Sequence, residues 1–231
     1  MRVLTPFEFI SLFPENLRVV FVGNAPSLKS ENLGGWIDSH DVVVRFNECP
    51  TASFESDVGT RTDILVSNPY PEGRSPAKLS DEKKSVIMVL TPQTRRGDYD
   101  VFSKWAGSHQ VLFTYSPDLV QIGNVDHKAT LTTGTYGIHI LTRLLKPKNV
   151  SVVGFTMFLN QTSFHYFKSE TPKGLKAHDV DVEAKIFIQL CNSIRCSLEV
   201  TSEIDWVSRI IGVKLRSDIK VKALSNKRWV Q

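Results

Sequence analysis

The chain has 231 residues, of which 41% are hydrophobic and 23% charged, a composition typical of a globular protein with one sizeable core. Its formal charge of +4 is too small to indicate nucleic-acid binding, so no nucleic-acid partner is expected. Three cysteines do not make a disulfide framework, and their spacing fits no common zinc site. No apolar run approaches the ~20 residues that span a bilayer, so no transmembrane segment is predicted.

Short β-branched runs alternate with helix-like stretches along the chain. The predicted strands are 19–22, 42–46, 64–66, 86–90, 111–115 and 150–153, and the clearest predicted helices are 134–145 and 178–194. Because strands separated by helices imply right-handed crossovers, this order predicts one α/β domain. We expect a single Rossmann-like fold with a mostly parallel, twisted sheet flanked by helices.

Two segments carry the composition of long loops. Residues 69–84 are rich in Pro, Gly, Ser and charge, and residues 159–177 form a second irregular stretch directly before the helix 178–194. Long loops in this position are often active-site lids.

The first buried strand ends in Gly23-Asn24-Ala25-Pro26-Ser27-Leu28. In a doubly wound sheet, ligands bind beyond the carboxyl ends of the strands, so this turn is a candidate binding loop. Gly23 permits a tight turn against a ligand, Asn24 offers an amide, and Ser27 could cap the following turn. The segment is neither a Rossmann fingerprint nor a P-loop, and alone it indicates only a strand followed by a turn.

The second buried strand carries Arg45 and is followed by Asn47. Asn47 would place a second amide at the carboxyl edge of the sheet, within reach of a nucleotide phosphate or ribose. An arginine inside a strand is usually paired, so Arg45 is expected to form a structural ion pair. Its candidate partners are Asp38, Asp41 and Asp57.

Four stretches together resemble the motifs of animal- and plant-type sialyltransferases, glycosyltransferase family 29. VVFVGNAPSLKSENLGGWIDSHDVVVRFNECPTASFESDVGTRTD resembles the large sialyl motif, and LTTGTYGIHILTRLLKPKNVSVVGF resembles the small one. The tripeptide HYF at 165–167 resembles the third motif, and the spacing from His178 to Glu183 resembles the very small motif. The order of the four is that of the family. The resemblance implies a sialyltransferase-type GT-A variant fold, in an atypical short member.

The resemblance also implies roles for particular residues. His178 would be the catalytic base, and His165 would stabilise the departing CMP. Glu183 lies five residues beyond His178, so it is not expected to stack on that ring, and it would orient local backbone or an acceptor, as would Tyr166. The donor nucleotide would be bound by Gly23, Asn24, Ser27, Asn47, Thr132, Thr133 and Gly134, the last three at a helix N-terminus that favours an anion.

The implied reaction is inverting transfer of a sialic acid, or a related 2-keto-acid sugar, from a CMP donor to a glycan or glycolipid hydroxyl. Histidine suits both proton removal and phosphate neutralisation, because its pKa lies near neutrality. Two alternatives remain: a CMP-Kdo-dependent Kdo transferase, and a non-catalytic nucleotide-sugar-binding module. The predicted catalytic domain comprises residues 1–208.

No cofactor and no metal are expected. Asp179-Val-Asp181 resembles a metal-binding D-x-D, which chelates Mg²⁺ or Mn²⁺ in other glycosyltransferases. That motif typically follows a strand, whereas this one opens a predicted helix. A CMP donor also carries a single phosphate, with less need for a metal clamp.

Two features bear on location. Val19 and Pro147 stand where animal members of the family have disulfide-bonded cysteines, which predicts a reducing, cytoplasmic setting. The alternative is the Golgi lumen, if an N-terminal anchor has been removed. Residues 209–231 form a basic, partly amphipathic C-terminal element. It is expected to pack on the domain, and the alternative is peripheral contact with an anionic membrane.

Overall fold

The computed structural model describes residues 2–67, 86–90, 109–114, 131–159, 164–168 and 178–225. The predicted loop 69–84, most of the predicted loop 159–177 and the last residues of the basic element lie outside the described residues.

The described strands form one sheet in which every strand pair is parallel. In chain order the strands are β1 (Arg2–Leu4), β2 (Arg18–Val22), β3 (Val42–Phe46), β4 (Ile64–Ser67), β5 (Val86–Leu90), β6 (Gln110–Thr114), β7 (Asn149–Val153), β8 (Ser197–Thr201) and β9 (Lys220–Lys222). Their order across the sheet is β1-β6-β5-β4-β3-β2-β7-β8-β9. All the predicted strands are present, with bounds shifted by one residue at most. Sequence reasoning missed β1, β8 and β9.

Helices lie in the connections between strands where the structure describes the chain. They are α1 (Pro6–Ile10), α2 (Gly34–Asp38), α3 (Glu55–Val58), α4 (Thr133–Leu145), α5 (Val180–Ser193) and α6 (Ser202–Ile210), with a 3₁₀ turn over Pro26–Leu28. The predicted α/β class is confirmed. Sequence periodicity found the two long helices, α4 and α5, and missed the others, since α1 to α3 span hardly more than one turn.

The helix α5 begins two residues later than predicted. Asp179 is its N-cap, with an extended backbone and a carboxylate that accepts the N–H of Val182 at 3.1 Å. An Asp in this position replaces a missing intrahelical partner and favours the helix dipole. His178 therefore lies outside the helix, in the connection that precedes it.

The sheet is buried on both faces. Successive strand residues point to opposite sides, and in β2 both Phe21 and its neighbour Val20 are fully buried. Phe21 belongs to the larger hydrophobic cluster, which includes residues of α4 and α5, whereas Val20 belongs to a smaller one on the other face. Continuous apolar runs such as that of β2 are what a doubly covered parallel sheet requires.

The strand order reverses between β2 and β7. From β2 the chain progresses through β3 and β4 towards one edge, and from β7 through β8 and β9 towards the other. In an open parallel sheet the crevice at such a reversal, outside the carboxyl ends of the strands, is where ligands bind. The segments that follow β2 and β7 are therefore the first place to look for a site.

The described part of the C-terminal element packs on the sheet. β9 pairs with β8, Leu224 is buried, and Arg216 donates to the backbone oxygens of Asn192 and Ile194 at 2.6 and 3.0 Å. The predicted division at residue 208 falls within α6 and stays a prediction, as does contact with a membrane. None of the described helices is long and apolar enough to cross a bilayer.

The predicted ion pair of Arg45 is wrong. Arg45 is fully buried, and none of the described carboxylates pairs with it. Its guanidinium donates to two backbone oxygens and one hydroxyl, those of Val58, Arg61 and Thr62, at 2.6 to 3.1 Å. The three candidate acids are engaged elsewhere: Asp38 with Thr60, Asp41 with Arg18 and Asp57 with Ser30. Burial lowers the pKa of Arg45.

Candidate active site

Gly23 permits contact between the ends of β2 and β7. Its N–H donates to Val153 O at 2.8 Å, and the N–H of Ala25 donates to Gly154 O at 3.0 Å. A Cβ atom on Gly23 would lie 2.1 Å from Gly154 O, closer than real Cβ contacts come. Sequence reasoning expected this glycine to turn against a ligand. The structure shows that its backbone turns against Gly154, and its contact with a nucleotide stays a prediction.

Asn24 has a fixed amide with one open acceptor. Its Nδ2 donates to Phe46 O at 2.9 Å and to Glu48 O at 3.0 Å, which determines the orientation of the amide. Its Oδ1 is buried and has no hydrogen-bond partner among the described residues. An acceptor oxygen suits a donor group such as a ribose hydroxyl better than it suits a phosphate.

Ser27 and Asn47 are the other two polar residues of these strand ends that were predicted to bind the donor nucleotide. The predicted capping role of Ser27 is wrong, because Ala25 is the N-cap of the 3₁₀ turn and has no side-chain hydrogen bond. The Ser27 side chain is buried, and its Oγ has no partner within the described part of the chain. Asn47 follows β3 with a left-handed backbone, φ 52°, which asparagine tolerates better than most residues. Contact of Ser27 and of Asn47 with the donor nucleotide stays a prediction.

Tyr166 anchors the segment that carries His165. Its N–H donates to Asn24 O at 2.9 Å, its hydroxyl donates to Pro50 O at 2.6 Å, and its ring packs edge-on against Phe54. Only 4% of Tyr166 is exposed, and burial raises its pKa. Tyr166 therefore orients its own segment, and the predicted acceptor contact has almost no exposed surface to use. Through this anchor, His165 adjoins Asn24.

The N-terminus of α4 meets a buried carboxylate. Thr132 is the N-cap, and its own N–H donates to Glu183 Oε1 at 2.7 Å. The hydroxyl of Thr135 donates to the same oxygen at 2.9 Å. The anion seen at this helix start is thus Glu183, and the N–H of Thr132 is not open to a nucleotide. Binding of the donor nucleotide by Thr133 and Gly134 stays a prediction.

Glu183 also reaches His178. Its Oε2 lies 3.6 Å from Nδ1 of His178, whose side chain is 19% exposed. The expectation that Glu183 would not stack on the His178 ring rested on helical spacing. That spacing does not apply, because His178 precedes the N-cap of α5, and the two side chains are in contact. Burial raises the pKa of Glu183, and the hydrogen bonds from Thr132 oppose that shift. One carboxylate therefore contacts the predicted base and the predicted nucleotide helix.

Sequence reasoning missed Phe155, which packs between the end of β3 and the helix α5. Its ring packs against Phe46 at the end of β3 and stacks on Phe187 of α5, with centroids 5.7 and 5.3 Å apart. A Cβ atom on Gly134 would lie 2.7 Å from the Phe155 ring, so only glycine lets α4 approach it. The position of Gly154-Phe155 directly after β7 was the available signal, since the same argument singled out the end of β2.

Residues 17–113 match the model of glycosyltransferase family 29 (sialyltransferase). The predicted resemblance to sialyltransferases is confirmed. The chain is 41% identical over 106 residues to CMP-N-acetylneuraminate-beta-galactosamide-alpha-2,3-sialyltransferase 1 of Pan troglodytes, covering 46% of this chain and 28% of that protein. It is 29% identical over 199 residues to the corresponding sialyltransferase 2 of Mus musculus, covering 76% of this chain and 55% of that protein. The chain thus spans about a quarter to about half of the length of these sialyltransferases.

A solved structure shares the fold. A mammalian sialyltransferase in complex with Gal-beta-1-3GalNAc-ortho-nitrophenol superposes with a TM-score of 0.60 at 22% identity, covering 84% of this chain and 73% of that chain. This likeness confirms the predicted sialyltransferase type of α/β fold.

The predicted cytoplasmic location is wrong. The relatives are animal sialyltransferases, enzymes of the Golgi lumen, and the likeness to them conflicts with a cytoplasmic site. The prediction rested on the missing disulfide cysteines. Val19 and Pro147, the positions predicted to stand in place of those cysteines, are both buried. Cys49, Cys191 and Cys196 are free thiols. The lack of a disulfide therefore does not by itself identify a compartment.

Proposed function

We propose that this chain is a glycosyltransferase that moves sialic acid from a CMP donor to a glycan hydroxyl. The likeness to sialyltransferases over residues 17–113 supports the reaction class. The observation that carries the mechanism is the position of Glu183, which contacts both His178 and the start of α4. The base and the nucleotide-binding helix must lie close together, because the acceptor hydroxyl held at the base attacks the sugar of the CMP donor held at the helix. Glu183 contacts both.

His178 is the base in this proposal. Nδ1 lies 3.6 Å from a Glu183 oxygen, and we assign to the opposite ring nitrogen, Nε2, the removal of the proton from the acceptor hydroxyl. The acceptor oxygen then forms a bond to the anomeric carbon of the sugar, and the bond from that carbon to the phosphate oxygen breaks. Glu183 stabilises the imidazolium that forms, as a carboxylate beside a histidine does in other enzymes. Attack opposite the leaving group would invert the anomeric centre.

The donor side of the proposed site is the loop after β2. Asn24 Oδ1 is an acceptor for a ribose hydroxyl, and its amide is fixed by two backbone oxygens. His165 adjoins Asn24 through the backbone of Tyr166, where an imidazole can donate to the phosphate of departing CMP. No cofactor and no metal take part in the proposal, because Asp179 serves as the cap of α5 and the donor has one phosphate.

The proposal is tested by incubating the protein with CMP-sialic acid and a panel of glycan acceptors, and following CMP release and product anomeric configuration by NMR. CMP-Kdo is run in parallel, and EDTA is added to a further set. The expected result is transfer from CMP-sialic acid with inversion and without loss in EDTA. Turnover of CMP-Kdo alone would make the chain a Kdo transferase. CMP binding without turnover of either donor would make it a binding module.

The base is tested with His178→Ala and a matched control, Asp181→Ala, whose exposed side chain lies in the first turn of α5. Loss of general-base help lowers the rate by ~10²–10⁴-fold, so kcat is expected to fall by that factor while CMP affinity is unchanged. The control should keep wild-type kcat, and a loss in it that Mn²⁺ restores would favour the D-x-D interpretation. Full activity in His178→Ala would remove the assignment of the base.

A further inference from the structure

Glu203 is a fully buried acid that the four motifs leave unexplained. It lies in the first turn of α6, directly after β8. Its Oε1 accepts the N–H of Gly154 at 2.7 Å and the hydroxyl of Thr201 at 2.6 Å. Its Oε2 is buried and has no hydrogen-bond partner among the described residues.

The partner of this acid, Gly154, is the residue on which the loop after β2 rests. Gly154 O accepts the N–H of Ala25, and a Cβ atom on Gly23 would lie 2.1 Å from the same oxygen. Gly154 itself has a left-handed backbone, φ 78°, and a Cβ there would meet Leu28 at 2.7 Å. Asn24 therefore lies between two residues whose backbones are held against Gly154, and a shift of Gly154 moves Asn24.

Burying a carboxylate to hold one loop in place costs folding free energy, because the charged group loses its hydration. Burial raises the pKa of Glu203 to about 7, so this acid ionises far less readily than an exposed glutamate does. A buried acid with one oxygen unpartnered contributes less to stability than an apolar side chain of similar volume would. Its geometric effect is specific, however, because it holds the N–H of Gly154 at the strand reversal between β2 and β7.

We propose that Glu203 is a positioning residue for the donor site, which acts by holding the N–H of Gly154 and so fixing the loop that carries Asn24. The proposal rests on the proposed function, in which Asn24 contacts the CMP moiety. Glu203 itself touches no substrate. Its effect should therefore appear in the affinity for CMP and in the KM of the donor, whereas the acceptor side and the chemical step should be spared.

The test compares Glu203→Asp with Glu203→Gln. The aspartate keeps the charge but is one methylene too short to reach Gly154, whereas the glutamine keeps an acceptor oxygen at the same reach. Calorimetry should show CMP binding about tenfold or more weaker in Glu203→Asp, since small misplacements of binding groups carry costs of this size. The donor KM should rise by the same factor, with kcat and acceptor KM within about twofold of wild type. Glu203→Gln should bind CMP like the wild type.

Two further variants provide a control and a second test of the same contact. Asp205→Ala, in the same helix, removes an acid from an exposed pair with Arg209 and should leave CMP binding unchanged. Thr201→Val removes the second donor to Glu203 Oε1 at nearly constant volume, and a weaker effect in the same direction as Glu203→Asp is expected. Thr201→Val replaces Glu203→Asp as the test of the positioning role if circular dichroism shows that Glu203→Asp does not fold.

The outcomes separate this proposal from the function on which it rests. If the wild type binds CMP and the folded aspartate variant binds it equally well, the positioning role is overturned and the proposed function stands. A lower melting temperature with unchanged donor KM would also overturn it, because that is the result of a purely structural role. Failure of the wild type itself to bind CMP would refute the proposed function.

Discussion

Glu203→Gln should change how stability depends on pH. Burial raises the pKa of Glu203 from 4.5 to about 7 in the folded chain, whereas the unfolded chain ionises near the ordinary value. Between these two values the folded state holds a proton that the unfolded state has lost. The free energy of unfolding therefore has its full Glu203 contribution below pH ~4.5 and loses it as the pH rises to about 7.

The size of the change follows from the same shift. One pKa unit corresponds to about 1.4 kcal/mol, so a shift from 4.5 to about 7 is worth roughly 3 kcal/mol. Glutamine does not titrate, and its carbonyl can still accept from Gly154 and Thr201. Its amide nitrogen takes the place of Oε2, which has no partner among the described residues, and this costs about 1–3 kcal/mol at every pH. The variant should therefore start less stable in acid and gain on the wild type as the pH rises.

The assay is urea unfolding, followed by circular dichroism at half-unit steps from pH 5 to pH 8.5. The quantity of interest is the difference between wild type and Glu203→Gln, since every other titrating group, including the buried His40, is common to both. That difference should move by roughly 3 kcal/mol in favour of the variant across the range, mostly below pH 7. Parallel curves, or a wild type that gains on the variant with rising pH, would refute the assignment of a buried, hard-to-ionise acid.

Two more substitutions test the packing. Gly23→Ala places a Cβ 2.1 Å from a backbone oxygen and should cost about 1–3 kcal/mol in unfolding free energy and weaken CMP binding; Gly35→Ala is the control, with no atom within 4 Å, and should be neutral or stabilising. Arg45→Met removes the guanidinium donor from one buried and one partly buried backbone oxygen, at about 1–3 kcal/mol for the buried one, whereas Arg18→Met removes an exposed ion pair worth less than about 1 kcal/mol. Equal melting temperatures within either pair would contradict the burial argument.

The predicted location shows what composition cannot supply. Paired loss of two cysteines is visible in the sequence, but the same loss follows from a reducing compartment and from a core that needs no disulfide. The buried positions of Val19 and Pro147 fit the second explanation. The relatives, and no feature of the chain's chemistry, decided against the cytoplasm.

The sequence by itself determined six of the nine described strands, the two long helices and the motifs at the strand ends. These features are local: a strand buried on both faces needs a continuous apolar run, and a helix needs its period, so both are readable within a dozen residues. The edge strands β1 and β9 span three residues each, too few for any pattern to distinguish.

Only the tertiary structure decided which side chains meet. Glu183 contacts Thr132 across 51 residues, and Glu203 contacts Gly154 across 49. Arg45 donates hydrogen bonds to uncharged backbone oxygens, where an ion pair was expected. Such contacts depend on how strands and helices stack, and a buried polar group accepts whichever partner the packing brings within reach. The sequence therefore indicated the edge of the sheet at which the candidate site lies, and the fold determined that one carboxylate contacts both the predicted base and the predicted nucleotide helix there.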